Sequence, residues 1–214
     1  GRTQEIIYDL HVLYRAGEIP AIPIYVDSPL AIDVTGVFAT HPEVFDRSEA
    51  LIRTTNHLFD FRLVQYTRDV SQSKALNQAR GPMVIIAASG MAELWRILHH
   101  LAHGAGDPRN TILIVGFQAE HTLGRRITER RELLRIFDEQ VPLRAEVRVL
   151  TGYSAHADER ELVRWLDEVT AAAKHRPQVT LVHGEAQAQD ALAAKLMGLG
   201  YRTNIPSLGD HVSI

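Results

Sequence analysis

The chain has no cysteine. That excludes a disulfide framework and every thiolate zinc site, so any metal must be held by His, Asp or Glu. It also lacks an apolar run of about eighteen residues, the length a bilayer-spanning helix needs, so no membrane partner is expected. Charge of one sign is missing too: 23 Lys and Arg stand against 26 Asp and Glu, a formal net charge of −3. No global field draws the chain toward nucleic acid, and any such site must be a local basic cleft. The opening Gly1-Arg2-Thr3-Gln4-Glu5 carries neither an initiator Met nor a signal-peptide pattern. It reads as a cut chain, and the cytoplasm is the expected compartment. What is present is globular: 214 residues, 45% hydrophobic and 23% charged, enough to bury a substantial core.

Ile6, Ile7, Leu10, Leu13 and Tyr14, stopped by Gly17, predict a first helix over about residues 3–16. Short apolar runs at 22–26, 84–87, 112–115 and 179–182 each end in small or polar residues and predict buried strands. Helical stretches around 30–58, 69–79, 91–103, 159–173 and 186–198 separate them. The alternation predicts an α/β chain with a mostly parallel sheet flanked by helices. Ligands of such sheets gather beyond the C-terminal strand ends, where Asp27, Ser89, Gly90, Phe117, Gln118 and His183 fall.

Two histidines stand where a strand or turn gives way to something else: His156 in Ser154-Ala155-His156-Ala157-Asp158, and His183 in Leu181-Val182-His183-Gly184-Glu185. Taken singly, each is more often a structural residue than a functional one. Their context resembles the β-CASP branch of the metallo-β-lactamase superfamily. Asp27 in Val26-Asp27-Ser28-Pro29-Leu30-Ala31 looks like that branch's motif A, His156 like motif B and His183 like motif C. The blocks Gly1-Arg2-Thr3-Gln4-Glu5, Ser89-Gly90-Met91, His99-His100-Leu101, Gly116-Phe117-Gln118-Ala119 and Thr122-Leu123-Gly124-Arg125 follow in the same order.

The resemblance implies a Rossmann-like β-CASP clamp domain over residues 1–150, then the C-terminal portion of a metallo-β-lactamase αββα fold over 151–214. It implies part of a zinc-dependent ribonuclease, endonucleolytic or 5′-to-3′ exonucleolytic, in which water is activated at two zinc ions. His183 would be a metal ligand. His156 would bind or protonate at the scissile phosphate, and Asp27 would orient it. Ser89, Gly90, Thr122, Gly124 and Arg125 would hold phosphates of the strand, and Ser154 would polarise a phosphate or fix the His156 loop. The superfamily's main ligand motif, His-x-His-x-Asp-His, occurs nowhere in the chain. The expected partners are therefore RNA and an N-terminal metallo-β-lactamase portion of the same protein, without which this piece would be inactive; a homodimer is allowed but not required. A histidine at motif C favours RNA. The rivals are a DNA-directed nuclease of the same superfamily and a non-catalytic scaffold subunit of the same fold. The chain departs from the family at His121, where a small residue is common, and at Ala92-Glu93, where a glycine pair is.

Other features have plainer readings. His99 and His103 share a helix face but occupy its last turn, where they cap carbonyls. Arg126, Arg130 and Arg131 are interleaved with Glu129 and Glu132 as a paired surface. Trp95 and Trp165, at helical spacing among apolar neighbours, are expected in the core.

Overall fold

The apolar spacing of the first segment yields helix α1 (Arg2–Arg15) in a computed structural model that describes residues 2–41, 43, 58–94, 96–154 and 156–212. The chain divides into two compact units, Gly1–Ser154 and Ala155–Ile214.

In the first unit α1 buries Gln4, Ile7 and His11. The buried Gln4 amide donates to Thr35 Oγ1 at 2.8 Å and to the Ala31 carbonyl at 3.3 Å, tying α1 to helix α2 (Pro29–Thr40). His11 stacks on Phe61 at 4.3 Å, and burial holds its pKa below the usual imidazole value. Ser28 caps α2 through its hydroxyl, with Pro29 in the first helical turn. The described part of the helix expected over 30–58 ends at Thr40, with His41 as its C-cap; residues 42 and 44–57 of that expectation lie outside the described residues, as does Trp95.

Strand β1 (Ile24–Val26) lies between β2 (Val64–Tyr66) and β3 (Val84–Ile86), all parallel, with Ile24 opposite both Val64 and Val84. Ile7, Ile24, Val26, Phe59, Phe61 and Val64 form the core around this sheet. β2 is absent from the sequence-based expectation because Val64-Gln65-Tyr66, with a glutamine at its centre, makes no apolar run. Helices α3 (Val70–Leu76) and α4 (Arg96–Gly104) follow β2 and β3. The rest of the unit comprises β4 (Thr111–Val115), α5 (Leu123–Thr128), β5 (Leu133–Ile136), β6 (Glu139–Pro142) and β7 (Glu146–Leu150). β4 and β7 pair parallel, while β5 and β6 form an antiparallel hairpin. That hairpin turns at Phe137-Asp138 with Phe137 at φ +54°, so the Asn-Gly signature that would have announced it is missing. Ile114, Ile127, Leu134, Ile136 and Val147 centre a second core here.

In the second unit, helix α6 (Glu159–Thr170) starts at a capping box made by Asp158 and Glu161. β8 (Gln178–Thr180), α7 (Ala186–Gly198) and β9 (Arg202–Asn204) form a parallel strand–helix–strand unit. Its core is small, centred on Leu166, Leu196 and Tyr201. The expectation that Trp165 lies in the core is corrected. It is 61% exposed, one of an exposed α6 row with Leu162 and Val169, because the helix turns Leu166 inward instead.

The fold class is α/β with mainly parallel pairing, as the alternation predicts, but the described strands fall into four small sheets rather than one. No helix of the described residues is long and apolar enough to cross a membrane.

Candidate functional site

Asp27 follows the central strand β1, its N–H donating to the Ile86 carbonyl of β3 at 2.8 Å. Its side chain is fully buried, and both carboxylate oxygens are engaged within the first unit. Arg96 Nη1 donates to Oδ1 at 2.5 Å, Ser73 Oγ donates to Oδ2 at 2.6 Å, and His100 Nε2 bonds Oδ2 at 2.7 Å. Arg96 also donates to the Thr67 and Arg68 carbonyls beyond β2, and His100 Nδ1 bonds Asn77 Oδ1 of the α3 C-cap at 2.7 Å. One carboxylate thus joins the end of the three-stranded sheet to α3 and α4. Arg96, Ser73 and Asn77 carried no sequence signal, because a charge partner separated by 69 positions leaves no local pattern.

The blocks expected to hold phosphates are tied to one another by internal hydrogen bonds. Gln118 is buried, and its Nε2 donates to the carbonyls of Gly90 at 2.8 Å, Phe117 at 2.9 Å and Gly116 at 3.4 Å. Gly124 spends its N–H on the Met91 carbonyl at 2.9 Å. Thr122 caps α5 by accepting from Arg125 N–H at 3.1 Å, and the Glu93 carboxylate accepts from Leu123 N–H. Arg125 Nε pairs with Glu129 Oε1 at 2.9 Å, and the Arg125 and Arg131 guanidinium groups hold the Glu129 carboxyl below its usual pKa. Pairing in the basic run thus takes in Arg125 and Arg131, both on Glu129, while Arg130 donates to the Val147 carbonyl at 3.4 Å. Of the expected phosphate-holding groups in this unit, the Gly124 amide and the Thr122 hydroxyl are committed to internal bonds. Ser89 keeps a half-buried hydroxyl with no partner among the described residues. His103 behaves as expected, its Nδ1 bonding the His99 carbonyl at 2.7 Å.

Both family departures fall on left-handed backbone: Ala92 has φ +56° and His121 φ +66°. A side chain there costs on the order of 1–2 kcal/mol, which is why smaller residues suit these positions. Gly124 is needed for a different reason. A Cβ would stand 1.7 Å from Gln118 Oε1, 2.7 Å from its Cδ and 3.0 Å from the Met91 carbonyl oxygen. The amide cannot swing away without breaking its Nε2 bonds. Gly124→Ala is therefore expected to destabilise the protein by about 2–3 kcal/mol, read as a lower urea midpoint at unchanged slope; an unaltered midpoint would refute the packing argument.

Ser154 lies at the end of the first unit, its N–H donating to the Thr151 carbonyl at 3.1 Å. Immediately before it, Tyr153 donates to Asp9 Oδ2 of α1 at 2.6 Å. His156 and His183 belong to the second unit and are both exposed. His156 precedes the α6 cap; His183 lies in the loop between β8 and α7, with no partner among the described residues. Among the described residues no three His, Asp or Glu side chains are grouped to hold a metal. An exposed imidazole with both ring nitrogens open fits a zinc ion as one ligand, and the remaining ligands are not supplied by these residues.

Residues 3–127 match the family model described as Beta-Casp domain, and residues 140–206 match the Zn-dependent metallo-hydrolase RNA specificity domain. His156 and His183 both fall in the second match. The chain is 40% identical to Ribonuclease TTHA0252 of Thermus thermophilus, an alignment covering 100% of this chain and 48% of that protein. It is 30% identical to Transcription termination factor FttA of Methanosarcina mazei, over 92% of this chain and 31% of the relative. It is also 30% identical to Endoribonuclease ysh1 of Schizosaccharomyces pombe, over 91% of this chain and 25% of the relative. The chain thus spans about half the length of the first of these and less of the others. With more than half of its residues covered by the first match, the chain belongs to the β-CASP family of metallo-β-lactamase-type proteins.

Proposed function

We propose that this chain is the RNA clamp and C-terminal portion of a zinc-dependent ribonuclease acting in the cytoplasm, with its first unit as the β-CASP clamp and its second as the returning segment of the metallo-β-lactamase fold. The observation that carries the reading is the exposure of His156 and His183 within the stretch matching an RNA specificity domain of zinc-dependent hydrolases. His183 offers a neutral ring nitrogen to one of two zinc ions, whose remaining ligands come from a further portion of the same protein. Bound zinc supplies Lewis acidity at the phosphoryl group. His156 donates a proton to the leaving oxygen as water attacks phosphorus and the P–O bond breaks, yielding a phosphate monoester and a free hydroxyl. Asp27, with both oxygens bonded inside the first unit, serves as a tie of the clamp.

The test is hydrolysis of sequence-matched RNA and DNA by the full-length protein, with zinc counted by mass spectrometry. RNA should be cleaved in preference to DNA, and His183→Ala should lose about one zinc per chain. Preference for DNA, or a full zinc complement in the variant, overturns the assignment.

A further inference from the structure

Arg2 is the first described residue and opens α1. Its guanidinium folds toward the loops beyond β3 and β4. Nη1 donates to the Val115 carbonyl at 3.0 Å, and the group approaches Gly116, where a Cβ would stand 2.6 Å from Nη1 and 3.2 Å from Cζ. Gly116 has φ +124°, a conformation suited to glycine, and it leaves room for the guanidinium. The Cβ position of Gly90 is 4.0 Å from the same nitrogen, and Gly90 is the chain neighbour of the half-buried Ser89.

The guanidinium has five N–H donors and no acceptor. Among the described residues only the Val115 carbonyl takes one, and no carboxylate pairs with the charge. A half-buried cation without a counter-ion is costly, and Arg96, whose guanidinium also reaches loop carbonyls, is spent on Asp27. Arg2 thus combines an unspent charge, open donors and a neighbouring hydroxyl at the C-terminal edge of parallel strands, where α/β folds take their ligands.

We infer that Arg2, with Ser89, is a phosphate-binding site for the RNA backbone, the guanidinium taking a phosphate through its planar fork and the serine hydroxyl donating to the same group. This rests on the ribonuclease reading above and adds to it a residue with no role assigned so far. Such a contact positions the strand and carries no base preference.

Binding of a fluorescein-labelled single-stranded RNA to the full-length protein, chelated so that it does not cut, tests the site across a salt series. Arg2→Gln should weaken binding about tenfold and lower the salt slope by about one. Ser89→Glu keeps Arg2 and its bond to Val115 but places a competing carboxylate beside it, so it should do the same even if Arg2→Gln misfolds. Wild-type affinity and slope in a folded variant of either kind, while the unsubstituted protein binds and cleaves RNA, overturn the Arg2 site alone. Absence of RNA binding by the unsubstituted protein overturns the ribonuclease reading and this site with it.

Discussion

Asp27→Ala is expected to cost about 3–5 kcal/mol of stability, the penalty for removing one partner of a buried ion pair and leaving the other uncompensated. The Arg96 and His100 side chains are only 14% and 8% exposed, so neither gains water when the carboxylate goes. Ser73 Oγ loses its acceptor as well, and the Arg96 fork is left with the Thr67 and Arg68 carbonyls alone. Asp27→Asn should cost less, because an amide oxygen still accepts from Arg96 or Ser73. Chemical unfolding followed by circular dichroism measures both. The experiment also separates two roles for this residue. A carboxylate whose work is to orient His156 would lower turnover with little change in stability. The tie described above predicts the reverse order, with loss of folded protein preceding any specific effect on catalysis. A folded, fully stable Asp27→Ala protein with impaired cleavage would restore the orienting role.

His156→Ala should lower turnover on RNA by about 10²–10⁴-fold, the usual contribution of a positioned general acid. The side chain is exposed, so its removal should change stability by no more than about 0.5 kcal/mol. RNA affinity should stay near wild type, because a group acting on the leaving oxygen works in the transition state rather than in the bound ground state. Zinc content should also be retained, in contrast to His183→Ala. A turnover within threefold of wild type in a zinc-replete, folded His156→Ala protein would remove this histidine from the mechanism.

Much of the architecture is legible along the chain. Strands β1, β3, β4 and β8 and helices α1, α6 and α7 all announce themselves by apolar runs, periodicity or caps, since these signals depend on neighbours a few positions away. The elements that escape are β2, α5, β7, β9 and the β5–β6 hairpin, whose stability comes from partners rather than from their own pattern. The candidate site divides in the same manner. His156 and His183 stand out because the motifs around them are contiguous. Arg2 and Gln4 sit two positions apart in one block, yet one reaches toward Gly116 and the other is buried against α2, a difference set by the direction each side chain takes from the helix.

Family membership, the alternating architecture and the identity of the two exposed histidines are determined by local order in the amino-acid sequence alone. The commitment of Asp27 to Arg96, His100 and Ser73, the internal bonding of Gly90, Gln118 and Gly124 and the unspent donors of Arg2 were decided only by tertiary structure. The reason is physical. Whether a polar group is available to a ligand depends on which distant atoms have already satisfied it, and a buried carboxylate or amide takes its partners from across the fold.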